Sequence, residues 1–218
     1  MPKLSITIKF IAGAFFTLCL FVFTGCKDCS KKVPCPGYED AVLDAWFPYF
    51  NNQVLVFKNN SNVYDSIILQ LTDSTIAYDF TTGLGRSNSG CNASKAFASV
   101  KKDSSNYPAF GILLSSALPA FTTTPNRAAS FNFKNRFFTG QDLQENGFAS
   151  FMLPEGVYRT PVSLNNFLLN GKIYPIAQYV LSDTAQNNAP GAYKIIYAKN
   201  YGIIAYETNP GAISWVKQ

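Results

Sequence analysis

Asn170-Gly171 sits between two short runs, Phe167-Leu168-Leu169 and Lys172-Ile173-Tyr174. Asn-Gly between apolar runs is the strongest short hairpin signal. Both residues of a primed two-residue turn take positive φ, and only such turns match the twist of the paired strands. The rest of the C-terminal third repeats the theme. Lys172–Leu181 reads as one long strand, with Pro175 at an edge or bulge position. A polar loop, Ser182–Gly191, leads to a strand at Tyr193–Ala198. Lys199-Asn200-Tyr201-Gly202 then turns the chain into Ile203–Glu207, and Asn209-Pro210-Gly211 turns it into Ile213–Val216. Local pairing makes this a β-meander. Ile203–Glu207 is its inner strand, and Trp215 points into the core.

Upstream, Gln53–Lys58, Ser66–Leu71 and Thr75–Phe80 are short and rich in β-branched or aromatic residues. Asn59-Asn60-Ser61-Asn62 and Asp73-Ser74 read as the turns between them. Ala96–Val100, Phe110–Leu114, Ser130–Phe138 and Phe148–Leu153 continue the pattern. Phe131 to Phe137 mostly alternates apolar with polar residues, which fits one buried and one wet face. One helix is expected, over Glu39–Trp46, with Val42, Leu43 and Trp46 on one side and Pro48 ending it. Trp46, Phe47, Tyr49 and Phe50 form an aromatic knot that reads as a helix end pinned to the core. The fold class is therefore mainly β: a single antiparallel β domain (curved sheet, sandwich or half-barrel) with a short N-terminal helix and a C-terminal β-meander. No internal repeat and no second domain boundary is legible.

The N-terminus has a different character. Lys3 and Lys9 precede an uncharged, largely apolar run from Phe10 to Phe23, and Thr24-Gly25-Cys26 closes it. That order is a secretory signal peptide. The run falls short of the roughly 20 residues a spanning helix needs. Its ending resembles the lipobox of bacterial lipoproteins, with Phe23 where an aliphatic residue is more usual. The resemblance implies cleavage after Gly25 and lipidation of Cys26, with acyl chains such as palmitate anchoring the protein to a membrane. Several chains hold firmly because each buried methylene contributes about 0.8 kcal/mol. Residues 1–25 are then the signal peptide, 26–37 a flexible Lys- and Pro-containing tether, and 38–218 the β-rich domain. Lys27, where an Asp favours inner-membrane retention, implies the outer membrane, on its periplasmic side or at the cell surface.

Composition narrows the chemistry. The chain contains no histidine. Ser-His-Asp and Cys-His catalysis and His-containing zinc sites are therefore absent. The formal charge is +5, or +3 once Lys3 and Lys9 leave with the signal. Basic residues are not interleaved with aromatics in the manner of a nucleic-acid groove, so no nucleic-acid partner is expected. No metal or other cofactor is implied. Of five cysteines, Cys29, Cys35 and Cys91 remain for an oxidising compartment after Cys19 and Cys26 are set aside. One pair and one leftover is the simplest arithmetic. Cys35–Cys91 would join the domain entry to the loop read at Ser87–Gly90. It would close about 55 residues, worth roughly 4 kcal/mol in the chain-entropy model. Cys29–Cys35 is the competing pair.

Three stretches also resemble a widespread group of small Bacteroidota envelope lipoproteins. They are Asn170-Gly171-Lys172-x-Tyr174, Ile196–Ile204 followed by Gly211 and Trp215, and Trp46-Phe47-Pro48-Tyr49 before Val54–Phe57. The resemblance implies an envelope location and a β-rich fold, and no reaction. In the same organisms, Asp-Ser/Thr triplets accept O-linked glycans. Asp65-Ser66-Ile67, Asp73-Ser74-Thr75 and Asp183-Thr184-Ala185 look like such sites, with Ser66, Ser74 and Thr184 as acceptors.

Two functions compete. The first is non-catalytic: a tethered β domain with a binding or structural role in the envelope, its concave apolar face meeting a hydrophobic ligand or its surface an envelope protein partner. The alternative is a carboxylate-dependent glycan-active enzyme using a pair from Asp142, Glu145, Glu155 and Glu207. Asp142 and Glu145 read as part of a polar loop and Glu155 as part of a turn, which fits solvated carboxylates better. Non-reducing peptide mapping is expected to find Cys35 joined to Cys91 and Cys29 unpaired; a Cys29–Cys35 peptide would show the other pairing.

Overall fold

The computed structural model describes residues 38–82, 86–100, 110–118, 125–134, 136–153, 156–182, 191–208 and 214–218. Among these residues thirteen antiparallel strands follow one short helix, α1 (Ala41–Trp46). The first eight are β1 (Val54–Asn59), β2 (Tyr64–Thr82), β3 (Arg86–Ser99), β4 (Phe110–Leu118), β5 (Asn126–Phe133), β6 (Arg136–Gln144), β7 (Gly147–Met152) and β8 (Tyr158–Arg159). The other five are β9 (Val162–Leu169), β10 (Lys172–Leu181), β11 (Lys194–Ala198), β12 (Gly202–Glu207) and β13 (Ser214–Lys217). All lie in one sheet, ordered β8-β7-β6-β5-β4-β3-β2-β1-β13-β12-β11-β10-β9. Two meanders are thus joined along the single non-sequential pair, β1–β13, where Phe57 lies opposite Lys217 and Asn59 opposite Trp215.

The order has a geometric consequence. β8 and β9 are the two edges, yet only Thr160 and Pro161 connect them. Three residue steps reach at most about 11 Å. The sheet must therefore roll until its edges meet. It does so without closing, because no ladder joins β8 to β9.

A barrel of about eight strands is filled by its own side chains, and a wider one is not. Here the N-terminal segment supplies the missing volume. Leu43, Trp46, Phe47 and Tyr49 are buried in the same cluster as the inward residues of β1–β7 and β10–β12. Phe47 meets Phe131 of β5, Phe148 of β7 and Tyr197 of β11, at ring-centroid distances of 5.1, 6.1 and 6.2 Å. Tyr49 meets Phe97 and Phe110 edge-on, and its hydroxyl accepts the Ile203 N–H at 2.7 Å. The knot therefore bridges both meanders. Phe50 is the exception to the expected knot: it is exposed. The expected helix forms with Leu43 and Trp46 buried. Asp40 is its N-cap, accepting from the N–H groups of Val42 and Leu43 at 3.1 and 3.2 Å.

The C-terminal meander has the expected pairing. Asn170 (φ 49°) and Gly171 (φ 76°) make the two-residue turn, with Leu169 opposite Lys172 and Phe167 opposite Tyr174. Register is interrupted at Pro175, where Asn166 across the ladder takes φ 51°. β12 pairs with both β11 and β13. Trp215 is half-buried and stacks on Tyr206, 5.7 Å between centroids with planes 6° apart. The turn expected at Asn209–Gly211 lies outside the described residues.

Four upstream expectations are corrected. Asp73-Ser74 does not turn the chain: β2 runs through it, and Asp73 pairs with Lys95 and Ser74 with Ser94. The continuous ladder with β3 outweighs weak turn chemistry. The loop read at Ser87–Gly90 is part of β3, so Cys91 lies on a strand. Ser130–Phe138 is not one strand but the β5–β6 hairpin, turning at Lys134 (φ 48°), with Phe133 opposite Arg136. The turn shifts which residues face in: Phe131 and Phe133 are buried, but Phe137, opposite Asn132, is exposed, and Phe138, opposite Phe131, is buried in its place. Asp142 likewise lies within β6, at φ 54°, and changes which residues face in: Phe138 and Gly140 before it, Leu143 after it.

Gly171→Val tests the turn. A side chain at this position meets nothing within 4 Å, so the cost comes from positive φ alone. A loss of about 1–3 kcal/mol is expected in denaturant melts. An unchanged midpoint would contradict the type of turn.

Candidate functional site

The rolled sheet leaves three places where chemistry or contact concentrates: the seam between its edges, the mouth beside α1, and a trough on the outer face.

The seam is closed by a side chain. β8 covers β7 only at Phe151 and Met152, so the edge of β7 at Phe148 has no strand beside it. The Gln178 amide of β10 takes that place. Its Oε1 accepts the Phe148 N–H at 2.9 Å, and its Nε2 donates to the Phe148 carbonyl at 3.3 Å. A primary amide carries a donor and an acceptor side by side and so imitates one residue of a neighbouring strand. The Tyr197 hydroxyl donates to Oε1 at 2.8 Å, and Nε2 reaches Ser163 Oγ at 3.4 Å. Gly147 makes the approach possible: it holds φ 122°, and a Cβ there would run into the Gln178 amide. Burial pushes the Tyr197 phenol well above its ordinary value, so it stays a donor. Further along, Lys199 Nζ meets Glu145 Oε2 at 2.8 Å and the Ala192 N–H meets the Lys134 carbonyl at 3.2 Å.

The mouth is polar. Asp40 is buried and caps α1, and both of its oxygens lie 2.7–2.8 Å from Arg127 Nε of β5. Ser116 of β4 donates to it at 2.9 Å. Asp44 pairs with Lys95 of β3 at 3.3 Å. These contacts seat the helix on β3–β5. Beside them opens a cleft of about 640 Å³, lined by Val42, Asn126, Arg127, Asp142, Gln144 and Glu145 among others. The outer trough, about 280 Å³, lies across β3–β6 between Leu113 and Phe137. Its floor is made of small residues such as Ala96, Ala98 and Gly111.

Of the carboxylates proposed for catalysis, two share one site. Asp142 and Glu145 both rim the polar cleft and both are exposed. Lys199 holds the Glu145 carboxyl below its ordinary value, through a hydrogen bond and its charge, which is the reverse of what a general acid needs. Glu207 pairs with Lys194 at 3.1 Å. Glu155 lies outside the described residues. No group of three or more His, Cys, Asp or Glu side chains that could hold a metal occurs among the described residues.

Ser66 and Ser74 are exposed within β2, not at turns. Cys91 is half-buried on β3, opposite Ala77 and Leu118. Cys26, Cys29, Cys35 and Thr184 lie outside the described residues. Sequence reasoning did not single out Gln178. The signal was present: in Ile176-Ala177-Gln178-Tyr179-Val180 a polar residue takes an inward position of an apolar alternation, and a buried polar residue needs partners. Asp40 carried the signal of an N-cap, but its pairing with Arg127, 87 positions away, had none. Comparison with protein families, curated proteins and solved structures finds no match for the chain.

Gln178→Leu keeps the bulk but strips both bonds from Phe148 and one from Tyr197. Each buried polar group left unmet costs about 1–3 kcal/mol. A loss above about 2 kcal/mol is expected in chemical denaturation. A loss below half that would remove the amide as the closure of the seam.

Proposed function

We propose that the protein is a non-catalytic lipoprotein, anchored to the outer membrane through acyl chains on Cys26, whose β domain has a binding or structural role in the envelope. The observation that carries this reading is the packed interior. Phe47, Tyr49, Phe131, Phe148 and Tyr197 occupy the space that a ligand carrier of this architecture would keep open. The idea of a concave apolar face holding a lipid loses its support, and contact through the outer surface gains it. The described carboxylates add weight against the glycan-active alternative. Asp40, Asp44, Asp65, Glu145 and Glu207 are each matched to a cation, and the carboxylates in the polar cleft are solvated.

On this reading the outer trough is where a hydrophobic ligand or an envelope protein partner meets the domain. Its lining is almost wholly apolar, and its volume falls just below the range of enclosed small-molecule sites, which begins at about 300 Å³. It suits an inserted side chain better than a buried lipid. The exposed hydroxyls of Ser66 and Ser74 remain our candidates for O-glycosylation, together with Thr184. The Cys35–Cys91 bridge remains our candidate cross-link between tether and β3.

Cys26→Ser tests the anchor. Wild type is expected to fractionate with membranes and to carry acyl mass on its N-terminal peptide, and the variant to lose both. Wild type without acyl mass, together with a variant retained as wild type is, would contradict the lipoprotein reading.

A further inference from the structure

We propose that Lys172 and Lys217 together form an oxyanion site at Tyr201, built for a phosphate group. Both cations act on that one tyrosine. Lys217 Nζ donates to the Tyr201 carbonyl at 2.9 Å, and Lys172 Nζ stands 4.1 Å from the centre of its ring. Tyr174 packs edge-on against Tyr201 at 4.9 Å, with Lys172 Nζ 5.5 Å from its centroid, and Tyr49 lies 5.9 Å from Lys217 Nζ.

The anomaly is one of charge. Lys95, Arg127, Lys134, Lys194 and Lys199 each have a carboxylate within 3.3 Å. Lys58, Lys172 and Lys217 have none among the described residues; Lys58 stands alone over Tyr64, whereas Lys172 and Lys217 share one tyrosine. Lys217 is half-buried, and both its burial and the neighbouring charge of Lys172 hold its ammonium below the ordinary lysine value. Two neighbouring like charges oppose each other, the more so where one of them, Lys217, is partly desolvated, and an anion between them removes the conflict. Ring faces direct the two ammonium groups without neutralising them. The site is assembled from far-apart segments: the tip of the β9–β10 hairpin, the β11–β12 turn and the end of β13. A tetrahedral oxyanion, with acceptors pointing several ways, suits two ammonium groups that approach from different elements.

The phosphate could belong to a lipid headgroup or to a soluble phosphorylated molecule. The test uses the purified full chain in a neutral detergent, with backbone amide shifts followed at constant ionic strength. Inorganic phosphate is titrated in one arm, and a short-chain phosphatidylglycerol below its micelle concentration in another. Short-chain phosphatidylcholine and chloride are the controls. Saturable shifts are expected at Gly171–Tyr174, Tyr201–Gly202 and Val216–Gln218. At least tenfold weaker binding is expected in both Lys172→Gln and Lys217→Gln. Lys194→Gln should bind as wild type does, since Lys194 also stands over a tyrosine ring, 4.7 Å from Tyr179, but already has Glu207. Tighter binding of phosphatidylglycerol than of phosphate assigns the group to a headgroup; equal or weaker binding assigns it to a soluble phosphate. Lys172 is exposed, so Lys172→Gln keeps the test valid if Lys217→Gln fails to fold. No saturable shift in either arm, or unchanged binding in Lys172→Gln, would overturn the site.

Discussion

A sheet of thirteen strands rolled until its edges meet encloses more space than its own side chains fill. Everything else in the structure depends on how that space is occupied. The chain uses the segment just before β1. Trp46, Phe47 and Tyr49 enter from α1 and its C-terminal side, and their rings contact β3, β4, β5, β7 and β11. Edge-to-face and tilted contacts among such rings add to the area they bury, by about 0.5–1.5 kcal/mol per pair. The helix itself is only six residues long and would not persist alone. It is held by Asp40, which satisfies the first turn and binds Arg127 and Ser116 with the same carboxylate.

The second requirement is the edge. Rolling brings β7 against the inner face of β10 instead of beside a full-length strand, which leaves backbone groups at Phe148 to be met in another way. The Gln178 amide meets them, and Gly147 supplies the room. The plug and the seam are connected. Tyr197 packs against Trp46 and Phe47 and donates its hydroxyl to Gln178. Phe148 packs against Phe47 and Tyr197 while its backbone is held by Gln178.

Much of this architecture was legible in the sequence, and for local reasons. Asn170-Gly171 specifies its turn through backbone conformation, and α1 was legible through the helical spacing of Leu43 and Trp46 and its proline stop, though not through its cap. Where the reading failed, the cause was a ladder or an interior invisible from neighbours in sequence. Asp73-Ser74 looks like a turn until β3 is laid alongside it, and the alternation from Phe131 to Phe137 reads as one strand although the turn at Lys134 puts Phe137 on the outer face. The seam was legible only as a polar residue out of place in β10. The pairing of β1 with β13, which joins the two meanders, had no local sign at all, since 160 positions separate Phe57 from its partner Lys217. Sites were less legible than the fold. Asp142 and Glu145 were correctly read as solvated, though Asp142 lies in a strand. Lys172 and Lys217 meet Tyr201 from positions 29 and 16 residues away in sequence, with no local sign of either contact.

A filled interior also shapes the functional account. The proposed role at the outer surface rests on rings standing where a lumen would be, so the account stands or falls on the N-terminal plug as part of the core of both meanders. Hydrogen exchange on Phe47→Ala measures this most directly. A loss of about 3–5 kcal/mol is predicted, the range for a buried Phe truncated to Ala. Protection should fall together in β5, β7 and β11, because Phe47 touches all three. A loss under about 1 kcal/mol, well below that range, or a change confined to the strands of one meander, would contradict the account.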